Sequence, residues 1–185
     1  MPESYPGPLA GQRITASLLR SMLPQTLRKT SDTSRSATTT VTADPHLQLE
    51  VEANAVYIWE GWIKYGGGTT GDLNLDFSTP SGSLGEWAGI GGGSSAVTGA
   101  SAAPALVTDT VTSRGYMVRL ETSDVAQARS FGTLGVSDAL HIALHGTLRV
   151  GSTPGTWSLD WAQNTSDATA TTLYTDSWIR FQRVA

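Results

Sequence analysis

Ten consecutive residues, Val56 to Tyr65 (VYIWEGWIKY), carry apolar side chains on both faces of any strand they form. Side chains alternate along a strand, so Tyr57, Trp59, Ile63 and Tyr65 share one face and Val56, Ile58 and Trp62 the other. One face can fill a core. The other must then meet a second sheet, an arm of the same chain or another subunit. Just before it, Leu47, Leu49 and Val51 alternate with His46, Gln48, Glu50 and Glu52, the period of a strand buried on one side. Ala53-Asn54-Ala55 separates the two, and Asn tolerates the backbone of a tight turn. The stretch is therefore expected to be a hairpin.

The same period recurs downstream. Leu73, Leu75 and Phe77 alternate in one run, and Leu140, Ile142, Leu144, Leu148 and Val150 in a longer one. Trp157, Leu159 and Trp161 alternate after the GSTPG turn, and Ser177–Val184 reads as a closing strand. Val107–Val111 and Arg114–Glu121 are further strands, whereas Glu86–Ile90 reads as a loop or an ill-defined edge strand. Together with 20 glycines for turns, about eight strands point to an all-β fold, a jelly-roll-like β-sandwich.

The start of the chain differs. Residues 1–12 are rich in Pro and Gly and read as an extended arm. Ile14–Leu23 reads as one short helix, capped by Thr15 and stopped by Pro24, with Ile14, Leu18, Leu19, Met22 and Leu23 along one side. So short a helix needs a partner for its stripe. Residues 25–42 are hydrophilic and Ser/Thr-rich, a linker whose Thr38–Thr42 end can open a strand. Residues 1–35 hold five basic and two acidic residues, a charge of +3, which leaves −7 for the remainder of the net −4. The expected organisation is an anchor over 1–35, with Arg28 and Lys29 in it, and a sandwich over 36–185.

Several function classes are disfavoured. A chain with 15% charged residues and net charge −4 lacks the basic patch of a nucleic-acid binder. No apolar run is long enough for a membrane span, and the start lacks the pattern of a signal peptide. With no Cys, disulfides and thiolate metal sites are absent. His141 and His145 suggest a metal pair, but on a strand they stand roughly 13 Å apart. The glycine runs at 66–68 and 91–93 lack the Lys-Ser/Thr and helix of a phosphate loop. Asp72 and Asp76 share a strand face, as ordinary exposed acids do. No catalytic residue, metal ligand or cofactor is assigned, and the expectation is a protein that is not an enzyme. Among the aromatics, Trp62 and Trp87 are expected to be exposed, available to a subunit, another partner or a glycan.

The block Lys29–Gly67 (KTSDTSRSATTTVTADPHLQLEVEANAVYIWEGWIKYGG), the run DLNLDFSTPSG and the tail from GTLRVG to SWIRFQRVA resemble small virion proteins of actinobacterial phages and prophages, usually called minor tail or hypothetical virion proteins. The resemblance spans roughly Gln12 to Ala185 and rests on structural rather than catalytic motifs. It implies a place in a virus particle, with assembly in the host cytoplasm and release by lysis. The leading expectation is a tail-associated fibre or tip protein that touches the host surface, assembled as a homo-oligomer, foremost a trimer, beside other virion proteins. The alternatives are a capsid decoration protein whose arm clamps neighbouring subunits and, from another class, a carbohydrate-binding module.

Overall fold

The computed structural model describes residues 10–11, 13–16, 19, 23–91 and 123–185. Among these, twelve strands form two antiparallel sheets: β1 (Gln25–Arg28), β2 (Thr33–Arg35), β3 (Thr42–Val51), β4 (Val56–Gly67), β5 (Leu73–Ser78), β6 (Leu84–Gly91), β7 (Ser123–Asp124), β8 (Arg129–Phe131), β9 (Gly135–Arg149), β10 (Gly155–Ala162), β11 (Thr171–Leu173) and β12 (Trp178–Arg183). The larger sheet runs β1-β12-β4-β9-β6-β7, with β11 beside β4 and β2 beside β11. The smaller runs β3-β10-β5-β8. The chain is an all-β sandwich.

The expected hairpin is not one. β3 pairs with β10 in the smaller sheet, whereas β4 pairs with β12 and β9 in the larger. Between them the chain arches from one sheet to the other, with Asn54 left-handed at φ 57° and its N–H bonded to Gly151 O at 2.8 Å. Alternation identified the buried faces correctly, since Leu47, Leu49 and Val51 face Tyr57, Trp59 and Ile63 within one core. Alternation says nothing about which strand lies alongside. Asp72, left-handed at φ 52°, turns the chain into β5 and accepts the Thr133 N–H at 2.9 Å, so it does not share an exposed strand face with Asp76.

The boundary expected at residue 35 also moves. β1 pairs with β12 from Gln25↔Phe181 to Arg28↔Trp178, and β2 pairs with β11, so the sandwich begins at Gln25. Two polar strands at a sheet edge escape notice because alternation needs an apolar half. Of the expected helix, Ala16 and Leu19 are helical, and Leu19 N–H donates to Thr15 O at 3.0 Å. Leu18, Met22 and the strands expected at Val107–Val111 and Arg114–Glu121 lie outside the described residues.

Aromatic rings fill the middle of the core. Trp157 from the smaller sheet meets Phe181 at 4.7 Å and Trp59 at 5.7 Å, and Phe77 meets Trp87 at 5.0 Å and Trp59 at 5.1 Å. Each such pair adds about 0.5–1.5 kcal/mol beyond the area it buries. Room for them comes from glycine. A Cβ on Gly146 would lie 2.3 Å from the Trp59 ring, and one on Gly89 or Gly91 would lie 2.9 Å from Phe131. Glu86–Ile90, ambiguous in the sequence, thus lies in a full strand whose missing side chains admit a ring from the opposite sheet.

Lys29 is fully buried. Its Nζ donates to Asp44 Oδ2 at 2.6 Å and to Thr33 Oγ1 at 2.9 Å. Asp44 also accepts from His46 N at 2.9 Å and Trp161 Nε1 at 3.3 Å. This pair ties the β1–β2 connection to β3 in the opposite sheet. Lys29 is therefore an internal cross-link, and its expected role as an anchor to a partner is corrected: a side chain with no exposed surface cannot meet one. Leaving one member of a buried pair uncompensated costs about 3–5 kcal/mol. Lys29→Met should accordingly lower the free energy of unfolding in urea by that amount, and Asp44→Asn in the same chain should recover part of the loss by removing the orphaned charge.

Candidate interaction surface

The two outer faces of the sandwich differ in kind. Along the smaller sheet, Glu50 opposes Thr156, Gln48 opposes Ser158, Ser158 opposes Ser78 and Asp160 opposes Asp76. These are small polar and acidic groups that satisfy one another: Ser78 and Ser158 hydroxyls donate to Asp160 at 2.6 and 2.5 Å. The Asp76 carboxyl is pushed above its ordinary value by burial and by the neighbouring Asp160 charge, against the opposing effect of the Phe77 N–H it accepts.

Along the larger sheet, register places a different set in rows. Arg28, Trp178, Trp62, Ala143 and Ile90 form one row across five strands. The next holds Arg180, Glu60, His145 and Ala88, and the one after it Gln182, Ile58, Thr147 and Glu86. Trp62 and Trp178 are half-buried and directly opposite one another, and the Trp62 ring stacks on His141 at 5.9 Å. Ile58 is 49% exposed. Arg180 pairs with Glu60, and Arg28 with Asp176. A depression of about 760 Å³ lies over the second and third of these rows, with Pro24, Ile58, Glu60, Glu86, His145 and Arg180 in its lining. The face as a whole has the ingredients of an interface: the Trp62–Trp178 pair and Ile58, ion pairs beside them and a concave stretch next to them.

The expected site residues are dispersed by this geometry. Trp62 lies on the outer face as anticipated from alternation along Val56–Tyr65. Trp87 does not: it is 2% exposed, with its ring edge-on to Phe77 in the core, so its proposed role in contacting a glycan or partner is corrected. Its place in a Gly-rich segment suggests a loop, but Gly89 and Gly91 are strand residues beneath the Phe131 ring. Ile14, Leu19 and Leu23 are all more than half exposed, while Leu18 and Met22 are outside the described residues. Arg28 lies beside Trp178 on the outer face, though its charge is engaged with Asp176. Arg35 is likewise committed to the sandwich, its guanidinium 4.1 Å over the Trp161 ring and bonded to Thr42 O and Ala43 O. Much of the basic character of residues 1–35 thus serves internal contacts.

Trp178 is the surface residue that sequence reasoning passed over. It stands in the closing strand on the opposite parity to Ile179 and Phe181. That parity was available, but only register with β4 shows that Trp178 and Trp62 meet. His141 and His145 occupy different rows of the outer face, separated by that of Ala143. Among the described residues, no group of three or more His, Asp or Glu is placed to hold a metal ion. The chain matches no family model, no curated protein and no solved structure.

Two outcomes follow for single substitutions. Trp87→Ala should cost about 3–5 kcal/mol, as removal of a core Trp does, whereas Trp62→Ala should leave the thermal midpoint of the isolated chain within a few degrees. Thermal unfolding of both variants checks this, and the reverse order would return Trp87 to the surface. The raised Asp76 value sets a pH dependence. Its ionised form is disfavoured in the fold, so folding loses stability at neutral pH and regains it as pH falls through the folded value towards 3.8. Asp76→Asn should therefore stabilise the protein at pH 7, with the gain shrinking as unfolding is measured towards pH 4.

Proposed function

We propose that this protein is a non-enzymatic structural component of a phage particle, a tail-associated fibre or tip protein, assembled as a homo-oligomer through the outer face of its larger sheet. The observation that carries the reading is the contrast between the two outer faces. One is hydroxylated, acidic and self-satisfied, and the other presents Trp62, Trp178, Ile58 and Ile90 to the outside. An aromatic and aliphatic face on a sandwich is what another protein surface covers. The resemblance of Lys29–Gly67 and the tail segment to phage virion proteins supplies the particle. A trimer is the proposed assembly, with other virion proteins as neighbours and a host-surface glycan as a further contact for the Trp62–Trp178 pair. The particle would form in the host cytoplasm and leave by lysis.

A second reading is favoured by a separate observation. Ile14, Leu19 and Leu23 lie exposed on the segment leading to Pro24, as a clamp would need to be if the protein decorates a capsid and grips adjacent capsid subunits. Quantitative mass spectrometry of purified particles separates the two. A copy number set by the tail tip supports the lead, one that scales with the capsid lattice supports decoration, and absence from particles overturns both. Glycan-array binding that is lost in Trp62→Ala while the protein remains monomeric would replace the structural reading with a carbohydrate-binding one.

A further inference from the structure

The depression on the larger sheet and the N-terminal segment each leave apolar surface uncovered, and they adjoin at Pro24. Pro24 lines the depression, so the chain preceding it starts at the rim. Along that segment Ile14, Leu19 and Leu23 are 67%, 53% and 62% exposed, so their own sandwich does not cover them. Within the depression Ile58 is 49% exposed. Charge is left over in the same two places. The side chains of Glu86, in the lining, and Arg13, next to Ile14, have no hydrogen-bond or ion-pair partner among the described residues.

The geometry points to arm exchange: Ile14, Leu19 and Leu23 of one copy lie against Ile58 in the depression of a second copy, with Arg13 towards Glu86. The occupant is another copy because in a single chain the segment leaves these side chains in solvent beside an open depression. Fully extended, the eleven residues 13–23 reach about 36 Å. A contact between two different patches of identical chains is head-to-tail and closes into a ring when its rotation allows. The inference rests on the homo-oligomer part of the proposed function and not on placement in a virion.

The absence of cysteine from the sequence makes a direct test simple. Full-length Leu19→Cys and Ile58→Cys chains are purified separately, mixed and oxidised. Arm exchange yields a species of twice the chain mass on a denaturing non-reducing gel, formed only in the mixture, and a mixture of Leu19→Cys with Glu50→Cys, on the outer face of the smaller sheet, does not yield it. When both substitutions sit in one chain, exchange gives ladders of linked chains. An internally bridged monomer would instead place the arm on its own face and overturn the proposal, as would absence of the mixed cross-link. By light scattering, Leu19→Asp/Leu23→Asp should reduce the assembly to single-chain mass with the circular dichroism spectrum kept, and an unchanged mass would also overturn it. Cross-linking is read on purified protein and incorporation on particles. A chain that cross-links but is absent from particles sinks only the virion reading, and one found in particles that does not cross-link sinks only this inference.

Discussion

Two sheets stack about 10 Å apart, and the core here must seat five large aromatic rings in that gap. Trp59, Phe77, Trp87, Trp157 and Phe181 manage this by interlocking edge to face and by settling over positions that lack a side chain. Trp59 lies across Gly146 of the adjacent strand, and Phe131 reaches from the smaller sheet onto Gly89 and Gly91. Replace any of these glycines by a larger residue and a ring must move, since the interior is packed too densely to yield. The inward-facing glycines of β6 and β9 are therefore complements of aromatic residues. That relation fixes which parts of the larger sheet lie opposite which parts of the smaller one.

Because the inner face is so fully occupied, the outer face of the larger sheet has no further role in building the core. Its aromatic residues are surplus to the monomer. Trp62 and Trp178 stand opposite each other with no ring from the smaller sheet behind them, and the ion pairs Arg180–Glu60 and Arg28–Asp176 surround them with groups that remain satisfied in water. The corresponding positions of the smaller sheet are polar instead: Ser78 and Ser158 donate to Asp160, and Ser158 and Asp160 are themselves buried, with no large apolar group among the three. One molecule carrying both kinds of face provides its own reference for judging the first unusual.

Much of this was legible in the sequence, and the failures share a cause. Alternation placed Tyr57, Trp59, Ile63, Leu73, Leu75, Ile142, Leu144, Trp157 and Trp161 in the core, where they are. It depends only on neighbours along one strand. What it could not supply was pairing between strands: that β3 and β4 belong to different sheets, that β1 and β2 join β12 and β11, and that Trp178 meets Trp62. The burial of Lys29 is hidden from the sequence for a related reason. A lysine flanked by polar residues has no local sign of burial, and its partner Asp44 is 15 residues away in the opposite sheet. Trp87 reads as exposed because glycine usually marks a loop, whereas here it is the space a ring requires.

The pairing of β1 with β12 has a temporal consequence. β4, at the centre of the larger sheet, acquires its two long neighbours only when β9 and then β12 have been made, and β1 is seated by β12. Contacts this distant in sequence form late and slowly. During translation β1 therefore lacks its sheet partner until Arg183 has emerged from the ribosome, and any association that depends on that pairing waits for β12.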